Sequence, residues 1–330
     1  MRKFVLTACL ALSAAVILGL PSWATDDACL RRTVSVTAAD RNWAPILDLK
    51  ADDLRGEFRG KPVKILSIVP ENRPQRIVIA LDASGSLGPG TGPSDWPLVL
   101  QMGSDLVQSG LTQTRFVVLI FSEKVQEQID FSHGSAGVIQ RLQQIAADSK
   151  YQVRGRTALW DTALVGFNLL RNPTSGDALY LITDGGENAS KASSSDVRRR
   201  LAASGSRVFV ALVAFTEIGS RNRTPEELKG HTGPAEAKEV AQATGGALFG
   251  PVSQGPTGPY ILFRNFPVSE GLSHFYKTIL SGYRMEIELP VAVDKWREWK
   301  LELTKEKQKQ FKDSELGYTR DLEPCTELPK

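Results

Sequence analysis

Four short, unbroken apolar runs constrain this chain more than any other feature. They are residues 77–81 (Ile-Val-Ile-Ala-Leu), 116–121, 178–182 and 208–215. A strand with one wet face alternates apolar and polar residues, whereas a strand covered on both faces does not. Each run is rich in β-branched or aromatic residues, so each reads as a strand buried on both sides. Helical stripes lie between them. Leu98, Met102 and Leu106 form one, Val138, Ile139, Leu142, Ile145 and Ala146 a second, and Leu159, Ala163, Leu164, Phe167 and Leu170 a third. Strands alternating with helices predict an α/β fold: a doubly wound, Rossmann-like, mostly parallel sheet with helices on both faces. Residues 247–249 add a last parallel strand, and 273–280 a closing helix. Val125, Ile129 and Phe131 share one parity with polar residues between, which predicts one antiparallel edge strand in a hairpin with its predecessor.

The flanks have a different rhythm. Residues about 32–70 alternate, as in Val34-Ser35-Val36 and Val63-Lys64-Ile65, and so do residues about 283–320, with Met285, Ile287, Leu289, Leu301 and Leu303. Neither flank has a useful core alone, so the two are expected to pair as a small β module beside the α/β domain. The expected division is a leader over 1–24, an N-terminal β segment over 25–73, the α/β domain over 74–282 and a C-terminal β segment over 283–330.

The leader follows from charge and hydropathy. Arg2 and Lys3 precede an apolar stretch, and Pro21 then stops it before Ser22-Trp23-Ala24. Small residues at the two positions a signal peptidase reads predict cleavage after Ala24 and a secreted or periplasmic protein. An uncleaved membrane anchor is the alternative reading. Without the leader, 38 basic residues face 37 acidic ones, so most of the formal +3 belongs to the leader. Nothing in that balance calls for nucleic acid, or for a membrane beyond the export signal. Two cysteines remain, Cys29 and Cys325. In an oxidising compartment they are expected to form one bridge joining the terminal segments.

The chemistry gathers where the first apolar run ends, at Asp82-Ala83-Ser84-Gly85-Ser86. One carboxylate and two hydroxyls at this spacing are oxygen ligands suited to a hard divalent cation, Mg²⁺ or Mn²⁺. In a doubly wound sheet, ligands bind where strand ends and loops gather at a topological switch point. Two more loops are expected at that edge. One is residues 154–159, with Thr157 just before a helix; the other is residues 183–186, with Asp184 after the third apolar run.

In its Asp82-x-Ser84-x-Ser86 motif, in Thr157 within Gly-x-Thr-Ala-Leu, and in Asp184-Gly185 after an apolar strand, the chain resembles the von Willebrand factor type A family over roughly 74–282. The resemblance implies a complete metal-ion-dependent adhesion site. Ser84, Ser86 and Thr157 would contact the metal through hydroxyl oxygens, and Asp82 and Asp184 largely through water. An exposed carboxylate on a protein or other macromolecular partner would complete the coordination. The flanks, with Pro62-Val63-Lys64-Ile65 and Leu316-Gly317-Tyr318, resemble a bacterial secreted subgroup described from acidobacteria.

A site with two carboxylates leaves a dication with residual positive charge, which favours binding an acid. No general base stands near the hydroxyls in the sequence, so the chain is expected not to be an enzyme. The alternatives are a metal-dependent phosphate or ester hydrolase and a structural module with a vestigial site. The loop 87–93 is rich in Gly and Pro, and is expected to lie over the metal and shape access to it. His133, His231 and His274 lack ligand spacing. Arg198-Arg199-Arg200 reads as a solvated helix face, residues 305–312 as a hairpin tip, and Trp160 and Asp161 as packing and capping residues. Glu217–Pro234 reads as a surface insertion. Asn188 and Asn222 begin sequons.

Overall fold

A computed structural model describes residues 29–71, 75–88, 94–110, 113–148, 151, 153–213, 233–255, 258–261 and 267–325. The expected leader, the tip of the 87–93 loop at 89–93, His231, Asn222 and residues 217–232 of the predicted surface insertion lie outside them.

The apolar runs form the centre of a seven-stranded sheet in the order β10-β9-β8-β7-β4-β5-β6. Its strands are β4 (Arg76–Asp82), β5 (Arg115–Phe121), β6 (Val125–Ile129), β7 (Ala178–Thr183), β8 (Arg207–Val213), β9 (Leu248–Gly255) and β10 (Gly258–Ile261). The five from β9 to β5 run parallel. β6 is the expected antiparallel edge, and β10 adds a second at the other side. Phe131, assigned by parity to the edge strand, instead opens a short 3-10 turn, Phe131–His133.

Covering on both faces explains why the central runs lack alternation. Ile77, Ile79 and Leu81 pack with the helices Trp96–Ser109, Gly134–Ala147 and Val268–Ile279. Val78 and Ala80 pack on the opposite face with the helices Leu159–Leu169, Ser194–Ser204 and Gly233–Ala243. β4 sits between β5 and β7: the chain runs from it to β5 on one side, then returns from β6 to β7 on the other. That divergence is the switch point, and β4 ends there in Asp82.

The flanks interleave in a six-stranded antiparallel sheet, β13-β2-β3-β11-β1-β14. The strands are β1 (Arg31–Ala39), β2 (Leu54–Phe58), β3 (Lys61–Pro70), β11 (Tyr283–Glu288), β13 (Lys300–Leu303) and β14 (Glu315–Tyr318). The pair β12 (Arg297–Glu298) and β15 (Asp321–Leu322) lies beside it. Val34, Val36, Phe58, Met285, Ile287 and Trp299 belong to its own core. A disulfide joins Cys29 to Cys325, with Cα atoms 5.6 Å apart. Such a bond points to an extracellular or periplasmic environment. Among the described residues no helix is long and apolar enough to cross a membrane.

Module and domain meet closely. A Cβ on Gly317 would lie 1.9 Å from the Gly246 carbonyl oxygen, so only glycine fits there. Arg207, 1% exposed, donates to the carbonyls of Gly176, Ile279 and Ser281 and to Thr37. Two expectations are corrected here. Arg198 is not part of a solvated face: its guanidinium meets Glu239 at 2.9 Å, Glu298 at 2.9 Å and Asp321 at 2.6 Å, bridging the helix to β12 and β15. Residues 305–312 are not a hairpin tip either. Thr304 accepts from the Lys307 N–H, and the strong helix formers after it make the helix Lys305–Gln310.

Candidate metal centre

Three loops meet at the C-terminal edge of β4 and β7. The first follows β4, the second precedes the helix Leu159–Leu169, and the third follows β7. Backbone bonds join the first two: Arg154 N–H donates to Ala83 O at 3.0 Å, and Gly85 N–H to Gly155 O at 3.0 Å. Gly155, at φ +96°, occupies backbone space that favours glycine. Ala158 N–H donates to Ser122 O at 2.8 Å, tying the second loop to the end of β5.

Within this frame Asp82 is fully buried. Its Oδ1 accepts from the Ser84 N–H at 2.9 Å, and its Oδ2 from the Thr183 hydroxyl at 2.7 Å. Ser84 is buried and Ser86 exposed, with their hydroxyls 3.2 Å apart. Thr157 is buried. Asp184 is half-buried, and its Oδ1 accepts from the Gly186 N–H at 2.8 Å. A Cβ on Gly186 would lie 2.9 Å from Asp184 Oδ1 and 3.7 Å from Thr157 Oγ1, so one point touches both residues.

The electrostatics of the pair favour a cation between the two acids. Burial first, and then the nearby Asp184 carboxylate, push the Asp82 carboxyl up to about 7; the bonds from Thr183 and Ser84 oppose the rise. A buried carboxylate whose ionisation a neighbouring carboxylate opposes, ringed by hydroxyls, forms with it an oxygen set suited to a hard dication. The set is poor in acids: among the described residues there is no group of three or more His, Cys, Asp and Glu side chains able to hold a metal.

Leu87 is buried, and Ser94 Oγ donates to its carbonyl at 2.9 Å, which pins the two described ends of the 87–93 loop together. Trp160 packs at 2% exposure, while Asp161 accepts from the Lys191 and Ala192 N–H groups. The His274 ring meets the Asn42 carbonyl, and His133 meets Asp130. Residues that motif reading missed also serve the site. Thr183 supports Asp82, and Glu187 and Asn188 tie the third loop to the second. Of these only Thr183, beside Asp184 at the end of an apolar run, carried a local signal.

The von Willebrand factor type A domain matches residues 77–243, half of the chain. Among solved structures, the conserved hypothetical protein BatB from Bacteroides thetaiotaomicron is 16% identical, with a TM-score of 0.44, covering 62% of this chain and 98% of that one. Proximal thread matrix protein 1 from the mussel byssus is 15% identical, with a TM-score of 0.46, covering 66% of this chain and 49% of that one. A von Willebrand factor type A protein from Catenulispora acidiphila is 10% identical, with a TM-score of 0.38, covering 90% and 75%. No curated protein matches. The chain belongs to the von Willebrand factor type A domain family.

Proposed function

We propose that this is an exported binding protein whose partner is held through a divalent metal. Domains of this family are typically involved in adhesion and protein interaction. Asp82, Ser84, Ser86, Thr157 and Asp184 would hold Mg²⁺ or Mn²⁺, and the bound ion would supply a Lewis-acidic docking point for a partner's carboxylate. The observation that carries this reading is the fully buried Asp82 facing Asp184, with its carboxyl raised to about 7. A buried carboxylate beside another is costly unless a cation joins them.

The rim supports an acidic partner. Arg154 and Arg156 stand on either side of Gly155 in the second loop, are exposed, and make no ion pair among the described residues. They add long-range attraction for a negatively charged surface. No step of bond making is asked of the site, in keeping with a binding role.

Calorimetry with MgCl₂ and MnCl₂ on the purified protein tests the reading. Wild type is expected to bind one ion and Asp82→Ala none. Absence of binding by wild type would refute it.

A further inference from the structure

We propose that Glu187 and Asn188 are positioning residues of the metal site, fixing Thr157 relative to Asp184. This inference rests on the metal-site reading above.

Thr157 belongs to one loop and Asp184 to another, and a shared ion needs their oxygens in a set relation. The helix after Thr157 begins at Leu159, and its N-cap, Ala158, has no side chain able to cap it. Its free N–H groups are met from the third loop instead. Glu187 Oε2 accepts from Leu159 N–H at 2.8 Å and Trp160 N–H at 3.2 Å. The same carboxylate accepts from the Ala189 N–H at 3.0 Å, and from the Ser190 N–H and hydroxyl at 2.8 and 2.7 Å. Ser190 Oγ in turn accepts from the Trp160 and Asp161 N–H groups at 3.0 and 3.1 Å. One carboxylate therefore closes its own loop and caps the neighbouring helix. A negative group at a helix N-terminus also suits the helix dipole.

Asn188 completes the clamp on Thr157 itself. Its Oδ1 accepts from the Thr157 N–H at 2.9 Å. The N–H groups of Asn188 and Ala189 both donate to the Thr157 carbonyl, at 3.1 and 3.0 Å. The backbone of Thr157 is held on both sides by the segment that begins three residues after Asp184. The hydroxyl of Thr157 carries none of this bonding among the described residues, so it stays available to an ion. Residues that orient a metal's direct ligands typically change affinity 10- to 100-fold when lost.

The test is a set of Mn²⁺ titrations by calorimetry, with melting in EDTA as a separate readout of stability. Glu187→Gln replaces one acceptor oxygen with an NH₂ that faces N–H donors. Asn188→Ala removes the Thr157 acceptor from an exposed position, so this variant is expected to fold even if Glu187→Gln does not. Both are expected to bind Mn²⁺ about tenfold more weakly than wild type. In a Thr157→Val background, which lacks the hydroxyl, Asn188→Ala is expected to have little further effect, because it acts through Thr157. Equal Mn²⁺ affinity in Asn188→Ala and wild type, or full additivity with Thr157→Val, overturns the positioning role alone. A wild type that binds no Mn²⁺ overturns the metal reading, and this inference with it.

Discussion

Removing the disulfide should cost this protein more than any surface change. Cys29 and Cys325 stand 296 residues apart in sequence, so the bond closes nearly the whole described chain into one loop. The loop-closure estimate for such a ring is about 5.5 kcal/mol, against about 2–5 kcal/mol commonly lost with a native disulfide. The Cα separation of 5.6 Å lies in the usual range, so backbone spacing gives no reason to discount the estimate. We expect Cys29→Ala/Cys325→Ala to lose about 4 kcal/mol. At about 2 °C per kcal/mol for a chain of this size, melting falls by roughly 8 °C. The loosening should be uneven. β1 is hydrogen-bonded to β11 and β14 on its two sides, whereas Cys325 is tethered by one backbone bond to Val293 O. Hydrogen exchange in the double variant should therefore quicken at 321–325 before β1. Scanning calorimetry of wild type, variant and reduced wild type, with intact mass under non-reducing conditions, checks this. Two free thiols in unreduced wild type, or a melting change under about 2 °C, would refute the reasoning.

Further outcomes follow from the site and the seam. Folded, metal-free Asp82 holds its proton up to about pH 7, while an unfolded Asp releases it near 3.8, so its contribution to metal-free stability declines as pH rises between these values. Metal binding needs the ionised form, so the Mg²⁺-induced rise in melting temperature should be larger at pH 8 than at pH 6; equal rises would contradict it. Arg154→Ser/Arg156→Ser should keep Mg²⁺ affinity yet bind a Glu-rich peptide several-fold more weakly at low salt. That deficit should fade at high salt, as measured by fluorescence anisotropy. Arg207→Met leaves buried carbonyls of Gly176, Ile279 and Ser281 without their donor, so stability should drop by about 3 kcal/mol in urea melts.

The apolar runs at 77–81, 116–121 and 178–182 announced their strands because two covered faces leave no room for polar alternation. Loop residues with fixed chemistry, such as Asp82-x-Ser84-x-Ser86, were legible because their spacing is local. Groups that act across the chain were not. Glu187 caps a helix that begins 28 positions earlier, and no spacing rule links the two. Arg198 looked like surface because a basic run on a helix usually is; its carboxylate partners come from a second helix, β12 and β15. In 305–312 the dense charge masks a short helix whose start is marked by one polar residue, the cap Thr304.

The covalent link beside the terminal strands also sets how the protein would carry load. Tension applied between residues 29 and 325 passes through the disulfide and never reaches either sheet. Tension between residue 29 and a partner held at the 82–184 edge takes another route, along β1 and across its ladders to β11 and β14. Those hydrogen bonds lie across the pull and resist together, as in a lap joint, so β1 would hold until both of its ladders shear.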